Sequence, residues 1–121
     1  MIEVKYNREK DVLIWRHVNI LKKQDIFAAI EKTNVIAKKI KHLKIIEING
    51  NIEFDFTITD ILVLNEKINP FEQFETVKHA FVGNIPKNVA FFTVATDILH
   101  SDRYASKVFS LEAVAYNWLK K

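Results

Sequence analysis

The chain has 121 residues, of which 49% are hydrophobic and 27% charged, and its formal net charge is +3. These values are ordinary for a globular protein, and we expect residues 1–121 to form a single domain. Cysteine is absent, which excludes disulfides, thiolate nucleophiles and cysteine metal sites. The first residues carry charges where a signal peptide needs an apolar core, and no apolar run is long enough to span a bilayer. The sequence therefore predicts a cytoplasmic protein without membrane insertion.

Charge is distributed unevenly along the chain. Residues 1–44 have an excess of Lys and Arg, whereas residues 51–76 have an excess of Asp and Glu. Because a nucleic-acid-binding surface needs basic residues without acidic neighbours, we expect no nucleic-acid partner. Two solvated surfaces of opposite charge explain the pattern. The alternative is a charged surface that attracts a protein partner electrostatically.

The N-terminal third predicts a β-hairpin followed by a helix. Residues 2–6 alternate between apolar and polar side chains, and residues 12–18 form an apolar run after a polar turn, which is typical of two antiparallel strands. Apolar or small residues then recur at helical spacing from Ile26 to Ile40. We therefore expect a long helix that ends near Lys41, where lysines suit the negative end of the helix dipole.

The middle of the chain predicts a third strand and a second helix. Residues 44–49 are mostly apolar and β-branched, and we expect the hydroxyl of Thr59, or failing that of Thr57, to cap the helix that follows. Pro70 cannot donate a hydrogen bond and pushes Asn69 out of helical geometry. We therefore expect a break there, with Asn69 capping a short second helical piece.

The last third predicts a parallel crossover unit. Residues 77–82 and 105–109 read as strands, and 22 residues lie between them. Residues 89–95 have the aromatic and β-branched content of a strand, but a strand there would leave too short a connection to the next parallel strand. We expect a helix over residues 86–99 instead, and a final helix capped by Ser110.

The predicted order is β-β-α-β-α-β-α-β-α, which is typical of a single α/β domain with a mixed sheet of five strands. The last third resembles small bacterial proteins of the STAS or SpoIIAA-like family in three stretches: Val77-Lys-His-Ala-Phe-Val82, Asn84-Ile-Pro86 and Lys107-Val-Phe-Ser-Leu-Glu-Ala-Val-Ala-Tyr-Asn-Trp-Leu119. The resemblance implies the SpoIIAA-like fold. It also implies a cytoplasmic regulatory or protein-interaction module that is not an enzyme and uses no cofactor.

In the anti-sigma-factor antagonists of that family, a phosphorylatable Ser or Thr lies in an Asp-x-Ser/Thr-Gly/Ala motif at the start of a helix. The matching stretch here is Asp55-Phe56-Thr57-Ile58, in which Ile58 departs from the small residue of the motif. The resemblance implies Thr57, or Thr59 two residues on, as a candidate phospho-acceptor, and helix capping is the structural alternative. The candidate surface for a partner or ligand comprises Phe54, Asp55, Phe56 and Asp60.

The other polar residues form no recognisable catalytic motif. Glu47 on a predicted buried strand, with Glu53 or Asp55 beyond it, suggests a carboxylate pair for acid–base chemistry as a minor alternative. With only two glycines, the chain has no Gly-rich phosphate loop. The histidines share no short ligand spacing, so the sequence predicts structural or surface roles and no metal site for His17, His42, His79 and His100.

Aromatic residues are concentrated in the middle of the chain, and core filling explains most of them. The alternative is an apolar pocket at the ends of the strands, where open α/β sheets bind ligands. The second functional hypothesis is therefore a small binding protein for an apolar or lipid-like ligand. The residues concerned are Phe54, Phe56, Phe71, Phe74, Phe81, Phe91 and Phe92.

The second strand predicts self-association. Residues 12–18 carry apolar side chains on both faces, whereas a strand that is solvated on one face alternates more cleanly. Something must cover the face that holds Leu13 and Trp15, and symmetric dimers are the commonest soluble assemblies. The sequence therefore predicts a homodimer with Leu13 and Trp15 in its interface.

Overall fold

The computed structural model describes residues 1–50, 53–68 and 71–121, and its strands and helices alternate over most of the chain. The strands are β1 (Ile2–Asn7), β2 (Val12–His17), β3 (Leu21–Lys22), β4 (His42–Ile48), β5 (Phe54–Asp55), β6 (Thr76–Val82) and β7 (Tyr104–Phe109). The helices are α1 (Lys23–Ile36), α2 (Ile58–Ile68), α3 (Pro86–Leu99) and α4 (Glu112–Lys120). The predicted break at Asn69 and Pro70 lies outside the described residues.

The main sheet has five strands in the order β1-β2-β4-β6-β7. β1 is antiparallel to β2, and every other neighbouring pair is parallel. This confirms the predicted α/β fold with a mixed five-stranded sheet. The short strands β3 and β5 form a separate parallel pair that the sequence did not predict, because two residues are too few to show a strand period.

Helix α3 confirms the choice of a helix over a strand for residues 89–95. Pro86 occupies the first helical position, where its missing N–H costs nothing. Phe92 and Ala95 lie one turn apart and are both buried. The helix thus uses its aromatic and β-branched residues to cover the sheet, while β6 and β7 pair in parallel on either side of the connection.

Helix α1 is shorter than its apolar period predicts. It ends at Ile36, and a turn in which the Ile40 N–H donates to the Ala37 carbonyl leads into β4, which begins at His42. Ala37 is nevertheless fully buried. The helical spacing of apolar residues continues past the end of α1 because the turn packs its apolar side chains against the same core. In the turn, this spacing therefore indicates which residues are buried and does not indicate a helical backbone.

Both faces of the main sheet are covered. We call the face that α1, α2 and α3 cover the cavity face; its buried strand residues include Leu13, Trp15, Leu43, Ile45, Val77 and Tyr104. The opposite face packs on α4, with a core of Val12, Ile46, Ala80, Val82, Phe109, Ala115 and Leu119. In the described ranges, no helix is long and apolar enough to cross a membrane.

The structure corrects the placement of Leu13 and Trp15 at a dimer interface. Leu13 is fully buried and Trp15 is only 3% exposed within a single protomer. The indole Nε1 of Trp15 donates to Thr33 Oγ1 of α1 over 2.9 Å. Both faces of β2 are apolar because α1 covers one of them and α4 lies on the other side of the sheet. Self-association itself stays a prediction, without an assigned interface.

Candidate functional site

Four polar side chains form a line across the otherwise apolar cavity face. They are His17 on β2, Glu47 on β4, His79 on β6 and Tyr104 on β7, so that neighbouring strands contribute one residue each. All four are buried. We call these four residues the polar network.

The register of the strands explains why these residues meet. Glu47 pairs with Phe81, and His79 lies two residues before Phe81 on the same strand. Tyr104 likewise lies two residues before the register partner of His79. A step of two residues keeps a side chain on the same face of a sheet, so the network runs diagonally from strand to strand.

Each contact in the polar network is a short hydrogen bond. His17 Nε2 lies 2.6 Å from Glu47 Oε2, and His79 Nε2 lies 2.7 Å from Glu47 Oε1. Each carboxylate oxygen therefore accepts one imidazole N–H. On the far side of the His79 ring, Nδ1 lies 2.8 Å from the Tyr104 hydroxyl. Glu47 and Tyr104 are thus connected through one imidazole.

Glu47 is an anion within this buried site. Burial by itself raises the pKa of a carboxyl group, but the positive charge of His17 and the hydrogen bonds from His17 and His79 outweigh burial and lower the pKa of Glu47 to about 2. A buried carboxylate without such partners would take up a proton instead. The two histidines therefore allow a charged group to exist in the core.

Tyr104 stays protonated. Burial, together with the nearby negative charge of Glu47, raises the pKa of the Tyr104 hydroxyl well above its usual value. The hydroxyl, the imidazole and the carboxylate are connected in the same order as in a catalytic triad. The arrangement is suited to making hydrogen bonds. Among the described residues, no group of three His, Asp or Glu side chains is arranged to hold a metal ion.

A cavity of about 170 Å³ lies against the polar network. Glu47, His79 and Tyr104 line it, while α2 and α3 cover it from the other side. The rest of its wall is largely apolar, with six aromatic residues (Trp15, Phe56, Phe71, Phe81, Phe91 and Phe92) and seven aliphatic ones (Leu21, Ile26, Ile30, Ile61, Leu64, Ala95 and Leu99). The cavity thus combines an apolar wall with one polar end, as small-molecule sites commonly do.

Aromatic contacts hold the His79 ring in place. Phe81 stacks on it, with ring centroids 4.2 Å apart, and Phe92 of α3 stacks near Phe81 at 4.7 Å. Trp15 meets the edge of the imidazole at 5.4 Å. Packing from two sides and hydrogen bonds at both nitrogens leave His79 one orientation, so the cavity side of the network is preorganised.

Arg103 organises the wall of the cavity near the start of β7. Its Nη1 donates to the carbonyls of Phe71 and Phe74, over 2.6 and 3.0 Å. Phe71 has a φ of 64°, which is an uncommon conformation for a bulky residue. The contact with Arg103 therefore helps hold a strained turn that presents the Phe71 ring to the cavity. Nearby, the cavity is lined by the exposed residues Asn65, His100 and Ser101.

Thr57 caps α2, where we predicted Thr59 first and Thr57 as the alternative. The Thr57 backbone N–H donates to Asp60 Oδ2 over 2.8 Å, and the Asp60 N–H donates to Thr57 Oγ1 over 3.4 Å. This reciprocal pair is a capping box. Thr59 lies within the first turn, and both threonines are exposed. Phosphorylation of either residue stays a prediction.

The predicted partner or ligand surface divides into two parts. Phe54 and Phe56 pack on Phe91 of α3, with centroids 4.7 and 5.3 Å away, and Phe56 reaches the cavity. Asp55 is exposed on the outside, and Asp60 is half-buried and occupied in the cap. Only Phe56 of this group therefore lines the cavity.

The suggested carboxylate pair is wrong. Glu47 is hydrogen-bonded to two histidines, whereas the side chains of Glu53 and Asp55 are exposed. Sequence reasoning missed the roles of His79 and Tyr104. One signal was present, since Glu47 and His79 are each a polar residue inside an apolar strand, where an ionisable side chain requires a partner.

Neither a protein-family model nor a curated protein matches the chain. Among solved structures, it is similar to an uncharacterized protein of the DUF3478 family from Shewanella loihica PV-4, described as having a SpoIIAA-like fold. The TM-score is 0.65 at 17% sequence identity, and the match covers 98% of this chain and 92% of that one. The chain therefore has the SpoIIAA-like fold, as the resemblance of its last third implied.

Proposed function

We propose that this protein is a non-enzymatic binding module that holds a small, largely apolar molecule in its cavity. The observation that carries the proposal is a space of about 170 Å³ with a largely apolar wall beside the hydrogen-bonded polar network. Protein cores are close-packed, and unfilled apolar space forfeits stabilising contacts. A cavity with one polar end therefore favours a ligand as its occupant.

Binding is favoured over catalysis by the state of the ionisable groups. Tyr104 holds its proton because burial and the Glu47 charge raise its pKa, and each Glu47 oxygen already accepts one hydrogen bond from an imidazole. A general base near neutral pH needs a pKa close to 7, and the pKa of Glu47 is about 2. Glu47 and Tyr104 are thus suited to recognising a polar group and not to abstracting a proton.

A cavity-filling variant tests the proposal. Ala95 of α3 is buried and lines the cavity, so Ala95→Leu places extra atoms inside it. Ala115 of α4 is also buried but packs on the opposite face, and Ala115→Leu is the matched control for overpacking. We expect small apolar probes such as toluene and indole to raise the melting temperature of the wild type and of Ala115→Leu, but not of Ala95→Leu. Equal shifts in all three proteins would place binding elsewhere.

A second candidate function is recognition of a protein partner through the exposed side of α2. Leu62 and Val63 are 43% and 44% exposed, and they follow the exposed Thr57 and Thr59 on the same helix. The resemblance to the antagonists implies regulation at this position. Sedimentation of the wild type and of Leu62→Glu tests the simplest partner, a second copy of the chain: an assembly that the substitution disperses supports this role. If the wild type is a monomer at high micromolar concentration, this surface of α2 does not mediate self-association.

A further inference from the structure

The size of the cavity limits its occupant to about one ring. A dry cavity of roughly 150 Å³ in another protein is large enough to bind benzene. The cavity here has about 170 Å³ of comparable space. A six-membered ring with one small substituent fits that volume, whereas a long acyl chain would have to extend past the exposed residues at its edge.

The walls favour a flat aromatic ring. Trp15, Phe81 and Phe92 line the cavity from the sheet and from α3, and Phe81 is stacked on both His79 and Phe92. Aromatic pairs gain stabilisation beyond simple burial when they stack with an offset or meet edge to face. An aromatic ligand can make both kinds of contact with this wall.

The polar end offers acceptors. Each Glu47 oxygen accepts one imidazole N–H, and a carboxylate oxygen can accept a second hydrogen bond. The Tyr104 oxygen has two lone pairs and contacts both His79 and Ser106, so one lone pair remains for a ligand. A ligand group that donates a hydrogen bond can therefore bind to an acceptor here, whereas a purely apolar ligand would leave these lone pairs without a hydrogen bond.

Charge at the polar end disfavours an anionic ligand. Glu47 is an anion, and the positive charge of His17 that balances it lies outside the cavity lining, so a ligand carboxylate beside Glu47 would bring a second negative charge to the buried site. Arg103, the guanidinium on the cavity wall, already donates to two backbone carbonyls. A neutral donor fits this surrounding better than an acid does.

We infer that the ligand is a phenol or a similarly small aryl alcohol, with its ring against the wall that includes Trp15, Phe81 and Phe92 and its neutral hydroxyl donating to Glu47 or Tyr104. The inference rests on the proposed function, since it specifies the class of molecule that the cavity holds. It assigns to Glu47 and Tyr104 the role of selecting the polar group of the ligand.

Three probes of nearly equal size test the inference on the wild-type protein: phenol, toluene and benzoate, titrated by calorimetry or by ligand-observed NMR at pH 7. One net hydrogen bond is worth about 0.5–1.5 kcal/mol, so we expect phenol to bind roughly two- to thirteenfold more tightly than toluene. Benzoate is expected to bind more weakly than either. If toluene matches phenol, or benzoate exceeds it, the inference is overturned while cavity binding stands. If none of the three binds, the proposed function fails as well.

A pair of tyrosine variants locates the selectivity. Tyr104→Phe removes one acceptor from the cavity, and we expect it to reduce the preference for phenol over toluene at least twofold. Tyr116→Phe, on α4 and outside the cavity, is the control and keeps the wild-type ratio. The quantity compared is the ratio of the phenol and toluene affinities within one variant. A partial loss of stability lowers both affinities and leaves that ratio unchanged. An unchanged ratio in Tyr104→Phe excludes Tyr104 as a selecting group, and the same measurement on Glu47→Gln then tests the other acceptor.

Discussion

His79 connects Glu47 to Tyr104 by using both of its ring nitrogens, at 2.7 Å from the carboxylate and 2.8 Å from the hydroxyl. Since both ends of the ring are engaged, the imidazole cannot rotate without breaking one hydrogen bond. The ring also forms part of the cavity wall. We therefore expect a substitution of Glu47 to alter the cavity wall by changing the orientation of the His79 ring.

Replacing Glu47 by Ala is expected to be among the most destabilising single changes in the chain. It removes the acceptor of two buried imidazole N–H groups, and breaking a buried ion pair in this way costs about 3–5 kcal/mol. Glu53→Ala, at an exposed site, is the control and should change the free energy of unfolding by less than about 0.5 kcal/mol. Urea denaturation of both variants measures the difference. Similar midpoints for the two would mean that the network contributes little to stability.

Acid should remove the contribution of Glu47 over a defined range. The pKa of this carboxyl is about 2 in the folded protein, below its ordinary value of 4.5, so its stabilising contribution is present above pH 4.5 and is lost as the pH falls towards 2. We expect the difference in unfolding free energy between the wild type and Glu47→Gln to shrink by a few kcal/mol across that range. Other carboxyl groups affect both proteins alike, so the difference isolates Glu47. A difference that is constant between pH 5 and pH 2 would contradict the assignment.

The fold could be predicted from the sequence because it depends on local patterns and connection lengths. The 22 residues between positions 82 and 105 required a crossover element, and this requirement correctly overrode the strand propensity of residues 89–95. The end of α1 could not be predicted this way, since Ala37 is buried in a turn and continues the helical period.

The candidate site could not be assembled from the sequence. His17 and Glu47 are 30 residues apart, Glu47 and His79 are 32 apart, and His79 and Tyr104 are 25 apart. They meet only because each strand is offset from its neighbour so that a step of two residues brings the next side chain within reach. The register of parallel strands depends on the packing of the whole sheet, which no local motif encodes.

Thr57→Ala is expected to cost about 1 kcal/mol of stability, because it removes the hydroxyl that accepts the Asp60 N–H in the capping box. Thr59 lies within the first turn of α2 and is exposed, so Thr59→Ala is the matched control and should be close to neutral. Guanidinium denaturation of the two variants gives the comparison. A larger loss in Thr59→Ala would return the cap to the residue that the sequence suggested first.

At alkaline pH the stability should depend on Tyr104. Burial and the Glu47 charge raise the pKa of its hydroxyl above the ordinary value of 10, so folding favours the protonated form, and stability is lost as the pH rises past 10. We expect Tyr104→Phe, which has no proton to lose, to show a smaller decrease in unfolding free energy between pH 9 and pH 11 than the wild type. Tyr116→Phe is again the comparison, since the pKa of the Tyr116 hydroxyl is also raised but the residue is less buried than Tyr104. Parallel losses in the wild type and Tyr104→Phe would show that ionisation of Tyr104 is not coupled to unfolding.

The strained turn at Phe71 yields the last prediction. Phe71 holds a positive φ, and the Arg103 guanidinium donates to its carbonyl and to that of Phe74. Strain of this kind persists only where surrounding contacts determine the conformation, so Arg103→Ala should release the turn and loosen one wall of the cavity. We expect faster hydrogen exchange at the Phe74 amide, which donates to the Phe71 carbonyl over 3.1 Å, and weaker binding of aromatic probes. Lys107→Ala, also on β7 but exposed, is the control and should change neither quantity. Unaltered exchange at Phe74 in Arg103→Ala would show that the turn keeps its conformation without the guanidinium.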